Sequence, residues 1–224
     1  AAEDEGWRAE TVIDALDRAD FDARRLKLKG SGRIARLAVG ATFGATLDFV
    51  AEGLAPADPA LARALGEDVT GRALLWAQEG SDGLRLPRVE LAGQDYGLRL
   101  TGQIEGLDTA LRISGRAEAR MDDLSRLSGI VGRELGGAGR VTVSGNGSPL
   151  AGDFAITARV DGNGLRIDQP QADALLAGAS SLTLDVERDE TGTRLNALDV
   201  AAGSLRASAS GTLASTGSDL SADL

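Results

Sequence analysis

Along most of the chain apolar and polar residues alternate, the period of a strand with one dry face and one wet face. Phe43, Ala45, Leu47, Phe49 and Ala51 share one face, and Thr42, Thr46, Asp48 and Glu52 share the other. Phe154, Ile156, Ala158 and Val160 oppose Thr157, Arg159 and Asp161, and Leu182, Leu184 and Val186 oppose Thr183, Asp185 and Glu187. Half-wet strands of this kind belong to antiparallel sheets, because parallel sheets have both faces covered. The expected fold class is mainly β, an antiparallel-type sheet with an apolar face and a few short helices.

A shorter motif, apolar-x-apolar-x-Gly, recurs within this alternation. It stands at Leu26–Gly30, Leu98–Gly102, Leu111–Gly115 and Val141–Gly145, with a worn copy at Ala207–Gly211. The period of two puts each glycine on the face of its apolar pair. A glycine there either lets the sheet bend toward that face or ends the strand. Ile34, Ile104 and Leu213 carry the alternation past Gly32, Gly102 and Gly211, so both readings stay open.

A longer repeat relates Gly83–Leu91 to Gly192–Val200, and the same offset aligns Ala92 with Ala201 and Gly102 with Gly211. Both copies slip phase at one place, between Leu86 and Val89 and between Leu195 and Leu198. An extra strand residue turns the side chains over unless a bulge absorbs it. The spacing predicts equivalent strands, irregular near Pro87-Arg88 and Asn196-Ala197.

Three helices are predicted to punctuate the strands. The first, over 58–66, has an N-cap Asp58, Pro59 in the first helical position and a closing Gly66. The third, over 170–178, repeats the device with Asp168 and Pro170. The second, over 121–135, places Leu124, Leu127 and Val131 on one face and acids in its first turn. Residues 7–25 read as strand by analogy with later repeats. The whole chain, 1–224, reads as one continuous β-repeat segment of a longer protein, with units of about 1–57, 58–120, 121–169 and 170–224.

Composition narrows the chemistry. With no Cys and no His, thiol catalysis, disulfides, the usual zinc sites and Ser-His-Asp triads are removed. A net charge of -10 argues against nucleic acid, and the basic run Arg24 to Lys29 is half of an alternating strand. The pairs Asp122-Asp123 and Glu67-Asp68 sit where helix ends accept acids. Asp185, Glu187, Asp189 and Glu190 read as a wet strand face running into a turn rather than a calcium site. Gly136-Gly-Ala-Gly139 lacks the lysine of a phosphate loop, and Gly145-Asn-Gly147 reads as an Asn-Gly turn between strands. Neither an enzyme nor a cofactor or metal requirement is expected. With aromatics at 3% and 30 glycines, the apolar residues suit a thin layer better than a thick core.

The repeated apolar-x-apolar-x-Gly strands, the segment Met121 to Leu135 running into Gly136–Gly145, and Thr193 to Leu213 together resemble the TamB family of translocation and assembly module proteins. That family lies within the wider AsmA-like, bridge-like lipid transfer group. The likeness is one of texture and repeat organisation over most of the chain. It implies a taco-like β-sheet with an apolar concave groove, in an internal segment of a periplasmic protein anchored in the inner membrane. Its implied cargo is phospholipid acyl chains or unfolded outer-membrane protein strands. The implied partner is the outer-membrane barrel assembly protein TamA, engaged through other regions of the protein. On this reading the groove is lined by Phe43, Leu47, Phe49, Leu98, Leu100, Leu111, Ile113, Val141, Val143, Phe154, Ile156, Leu182, Leu184 and Val186. The alternative is a purely structural β-solenoid, stalk or adhesin-like segment, which has the same alternation but an inner face packed shut.

Overall fold

A computed structural model describes residues 4–37, 40–107, 109, 111–214 and 217–223. The alternating segments become thirteen strands: β1 (Asp4–Asp17), β2 (Phe21–Leu37), β3 (Gly40–Pro56), β4 (Val69–Gln78), β5 (Gly83–Ala92), β6 (Tyr96–Glu105), β7 (Arg112–Met121), β8 (Gly136–Ser148), β9 (Asp153–Arg166), β10 (Ala179–Asp189), β11 (Gly192–Ala202), β12 (Leu205–Ala214) and β13 (Gly217–Asp223). Each pairs antiparallel with its neighbours in sequence, so spatial order and chain order coincide in one open sheet. The stretch 7–25 is strand, in β1 and the start of β2, apart from the turn at 18–20.

The doubled phase slip is a pair of bulges. Pro87 and Arg88 of β5 stand against the single Thr101 of β6, between the partners Leu86↔Gly102 and Val89↔Leu100. Asn196 and Ala197 of β11 stand in the same way against Ser210 of β12. In each case the bulge keeps the apolar residues on both sides of the slip on one face.

The motif glycines Gly30, Gly102, Gly115, Gly145 and Gly211 lie inside strands, so they do not end them. Gly102, Gly115 and Gly145 are successive register partners across β6, β7 and β8. A Cβ on Gly115 would stand 2.5 Å from the Thr101 carbonyl oxygen and 3.0 Å from the Gly102 Cα. Paired Cα atoms in an ordinary ladder are about 4.5–5.5 Å apart and side chains point clear of the neighbouring strand. Here the neighbour rises toward the apolar side, so the sheet folds inward along this glycine line. Gly145-Asn146-Gly147 is part of that line and of β8; the turn into β9 comes at 149–152, correcting the expected Asn-Gly turn.

The helices are shorter than their sequence spans. Helix α1 (Pro59–Leu65) starts as expected: the Asp58 carboxylate accepts from the N–H groups of Ala60 and Leu61. It closes on Gly66 at φ 73°. The expected helix 121–135 reduces to a 3-10 turn, Leu124–Leu127, and a single turn α2 (Ser128–Val131). Met121 belongs to β7, and Gly132, left-handed at φ 75°, stops the helix. Helix α3 (Pro170–Leu176) takes Gln169, not Asp168, as its N-cap residue, with no side-chain cap. The Asp173 carboxylate instead turns back to accept the Ile167 N–H at 2.8 Å.

Topology puts all three helices on one rim. They follow β3, β7 and β9, and in a meander every odd-to-even connection leaves by the same side. Their contact also reports curvature. The β3–β4 and β7–β8 connections that carry α1 and α2 would be about 19 Å apart in a flat sheet, four spacings of about 4.8 Å. Yet α1 and α2 touch: a Cβ on Gly129 would lie 2.9 Å from the Ala60 Cβ. The sheet between them is therefore curled.

Candidate functional site

Cross-strand partners point to the same side, so the registers place residues from different strands in rows. One row runs Leu47, Ala73, Val89, Leu100, Ala117, Val143, Ala158, Leu184, Leu198 and Ala209 from β3 to β12. Beside it Phe49 leads through Gly71, Leu91, Leu98, Ala119, Val141 and Val160 to Leu182. On the other side Gly145 leads to Ile156 and Val186, and Ile113 leads through Gly147 to Phe154. Phe43 enters that last row from β3 through Ala77, Leu84 and Ile104. Thirteen of the fourteen residues expected to line a groove thus share one sheet face. The fourteenth, Leu111, does not belong with them. It precedes β7 with left-handed backbone, φ 35°, and its N–H donates to the Gly106 carbonyl. The tight β6–β7 connection consumes the residue that the motif would have put in a strand.

This face is lined but not filled. Leu47 remains 45% exposed, Ile113 43%, and Phe43 and Leu98 37% each. The buried apolar residues are mostly small, such as Ala45, Ala51 and Ala202, and no large side chain among the described residues is fully buried. Aromatic rings occupy the space a Cβ would need at some glycines, Trp7 at Gly30 and Gly32, and Phe49 at Gly71.

One rim of the face is covered. Tyr96, Met121 and Gly139 form its outermost row there, and a Cβ on Gly139 would contact Leu124 at 3.6 Å. The Tyr96 hydroxyl donates to the Leu65 carbonyl of α1 at 3.1 Å. Arg126 donates through Nε to Asp95 at 2.7 Å and through Nη1 to the Arg63 carbonyl at 3.0 Å. Burial of Tyr96 pushes its phenol above the ordinary value. The opposite rim carries the short turns at 79–82, 149–152 and 190–191. Where the glycine line folds the sheet, the face deepens into an open cavity of about 670 Å³, bordered by Leu100, Ile113, Val143, Phe154 and Ile156. That size falls within the roughly 300–1,000 Å³ of ligand pockets.

The wet face carries a device that sequence reasoning missed. Glu10, Lys29, Asp48, Arg72, Glu90, Arg99 and Glu118 are successive register partners on seven strands, alternating in sign. Lys29 pairs with Glu10 at 3.1 Å, Arg72 with Asp48, and Arg99 with Glu90 at 2.9 Å. Arg88 joins at 2.8 Å, and hydrogen bonds from Arg88 and Arg99 hold the Glu90 carboxyl below the usual range. Trp76 also stands on this side, with Arg85 over its ring at 5.0 Å.

Most of the acids weighed for catalysis or calcium have other partners. Asp123 caps Ser125, Asp185 accepts from Asn196 and Thr157, Glu187 from Arg194, and Asp189 from Thr191. Among the described residues no cluster of three or more potential ligands is placed to hold a metal. No helix among them is long and apolar enough to cross a membrane.

Comparison with protein-family models, with curated proteins and with solved structures finds no significant match.

Proposed function

We propose that the chain is a section of an apolar conduit, whose concave face carries acyl chains or unfolded apolar strands along the row direction, in a non-catalytic role. The observation that carries this reading is the continuous apolar face itself. Its rows run from β3 to β12, about 43 Å of contour at about 4.8 Å per strand, yet its large side chains stay half-exposed. An uncovered apolar patch of that extent marks a binding surface. Each acyl CH₂ taken from water gains about 0.8 kcal/mol, so cargo needs a trough and no specific polar partner. The charged ladder outside suits an aqueous surrounding. The TamB-like texture of the sequence agrees, and on that likeness the setting is the periplasm, between inner and outer membrane, with TamA as distant partner.

The test is Leu100→Arg, read by thermal melting and by crosslinking to a phospholipid with a photoactivatable acyl chain. An open conduit predicts a folded variant, with only a local cost, that loses the crosslinks of the wild type. Global unfolding of the variant, from a charge forced into a closed core, or a wild type that never crosslinks, would favour a structural stalk.

A further inference from the structure

Charge is all but excluded from the concave face around the cavity. Following the register rows from β4 to β12, Arg188 is the only charged side chain on that face among the described residues. It is the partner of Phe154 on β9 and of Thr193 on β11. Its position is the short-turn rim, opposite the helices, and it borders the 670 Å³ cavity together with Phe154, Ile113 and Leu100.

The neighbouring acids do not neutralise it. Glu187 is taken by Arg194 at 2.9 Å, Asp189 by Thr191, and Asp153, also at the cavity, by the Ser148 N–H at 2.9 Å. The Arg188 guanidinium has no hydrogen-bond or ion-pair partner among the described residues. Arg116 borders the same cavity, but its register partners Thr101 and Ser144 belong to the wet face. An arginine beside an apolar trough can lay its methylenes along Phe154 and keep its head at the water boundary.

We infer that this cavity seats an anionic lipid, its acyl chain over the glycine line and its carboxylate or phosphate at Arg188, so that the headgroup faces the short-turn rim. The inference rests on the conduit reading and adds to it a charge preference and an orientation. A planar guanidinium offers paired N–H donors to an oxyanion and nothing comparable to an uncharged hydroxyl headgroup.

The probes are oleate and monoolein, which share an acyl chain and differ in headgroup charge, each titrated below its micelle threshold. Wild-type protein should bind oleate more tightly than monoolein. Arg188→Gln should weaken oleate roughly three- to tenfold, the size of one lost charge-assisted contact at a wet boundary, and leave monoolein and the melting temperature unchanged. Arg188→Lys should restore some of the preference, and Arg133→Gln, exposed beyond α2 on the helix rim, should change neither lipid. Equal wild-type affinity for the two probes, or an Arg188→Gln protein that keeps its oleate affinity, would overturn this inference while leaving the conduit standing. A wild type that binds neither probe would overturn both.

Discussion

Gly115 on β7 faces Gly102 on β6 so closely that a Cβ on Gly115 would come within 3.0 Å of the Gly102 Cα. Backbone meets backbone at this point, so there is no flexible side chain to move aside. Gly115→Ala should therefore cost about 1–3 kcal/mol, the usual range for overpacking, and flatten the fold line. Gly44→Ala is the control: the glycine lies inside β3 with open space where its Cβ would be. Denaturant melts of the two variants should differ in midpoint, with the Gly44 variant at or slightly above wild type.

Asn196 stands without a partner in the β10–β11 ladder, where Asp185 pairs with Ala197 and Val186 with Leu195. Deleting it should close both neighbouring ladders into regular pairing and leave Leu195 and Leu198 on the apolar face. The cost should be limited to the Asn196 amide's bond to Asp185, about 0.5–1.5 kcal/mol. Deleting Asp199 in the same strand, beyond the bulge, should invert the faces of one half of β11 and destabilise far more. Thermal melts of the two deletions distinguish an absorbed extra residue from an essential one.

Glu90 accepts from both Arg88 and Arg99, and its carboxyl is held below the ordinary glutamate value. A depressed native pKa means that its stabilising contribution is complete above the unfolded-state value and is lost as pH falls through the native one. The difference in melting temperature between wild type and Glu90→Gln should be small at neutral pH, because the pair is solvated. It should shrink toward zero in acid below the usual carboxylate range. A difference that grew on acidification would contradict the direction of the shift.

How much of the molecule is legible in its sequence depends on range. The two bulges are legible because a phase slip is local and occurs twice, at Leu86 to Val89 and at Leu195 to Leu198. The common face of Phe43, Leu100, Val143 and Leu184 follows from alternation once the strands pair in order. Leu111 misleads, because the motif Leu111-x-Ile113-x-Gly115 has the same letters whether its first residue sits in a strand or in the turn before it. Gly145-Asn146-Gly147 misleads for a related reason: an Asn-Gly pair signals a turn locally, but the inward fold of β8 needs glycine at the same positions. The helix after Met121 is overlong in the sequence pattern because β7 keeps Met121 and Gly132 ends α2. The charge ladder from Glu10 to Glu118 is invisible there, since it exists only when six separate registers are known together.

The strand order has a mechanical consequence. Every strand is hydrogen-bonded only to its neighbours in the chain, so tension applied at the two ends pulls along the ladder's opening direction, not across it. Bonds at a loaded edge would then break in succession instead of all at once. The sheet should yield hairpin by hairpin at low force, releasing slack in repeatable steps and taking it back when the load is removed.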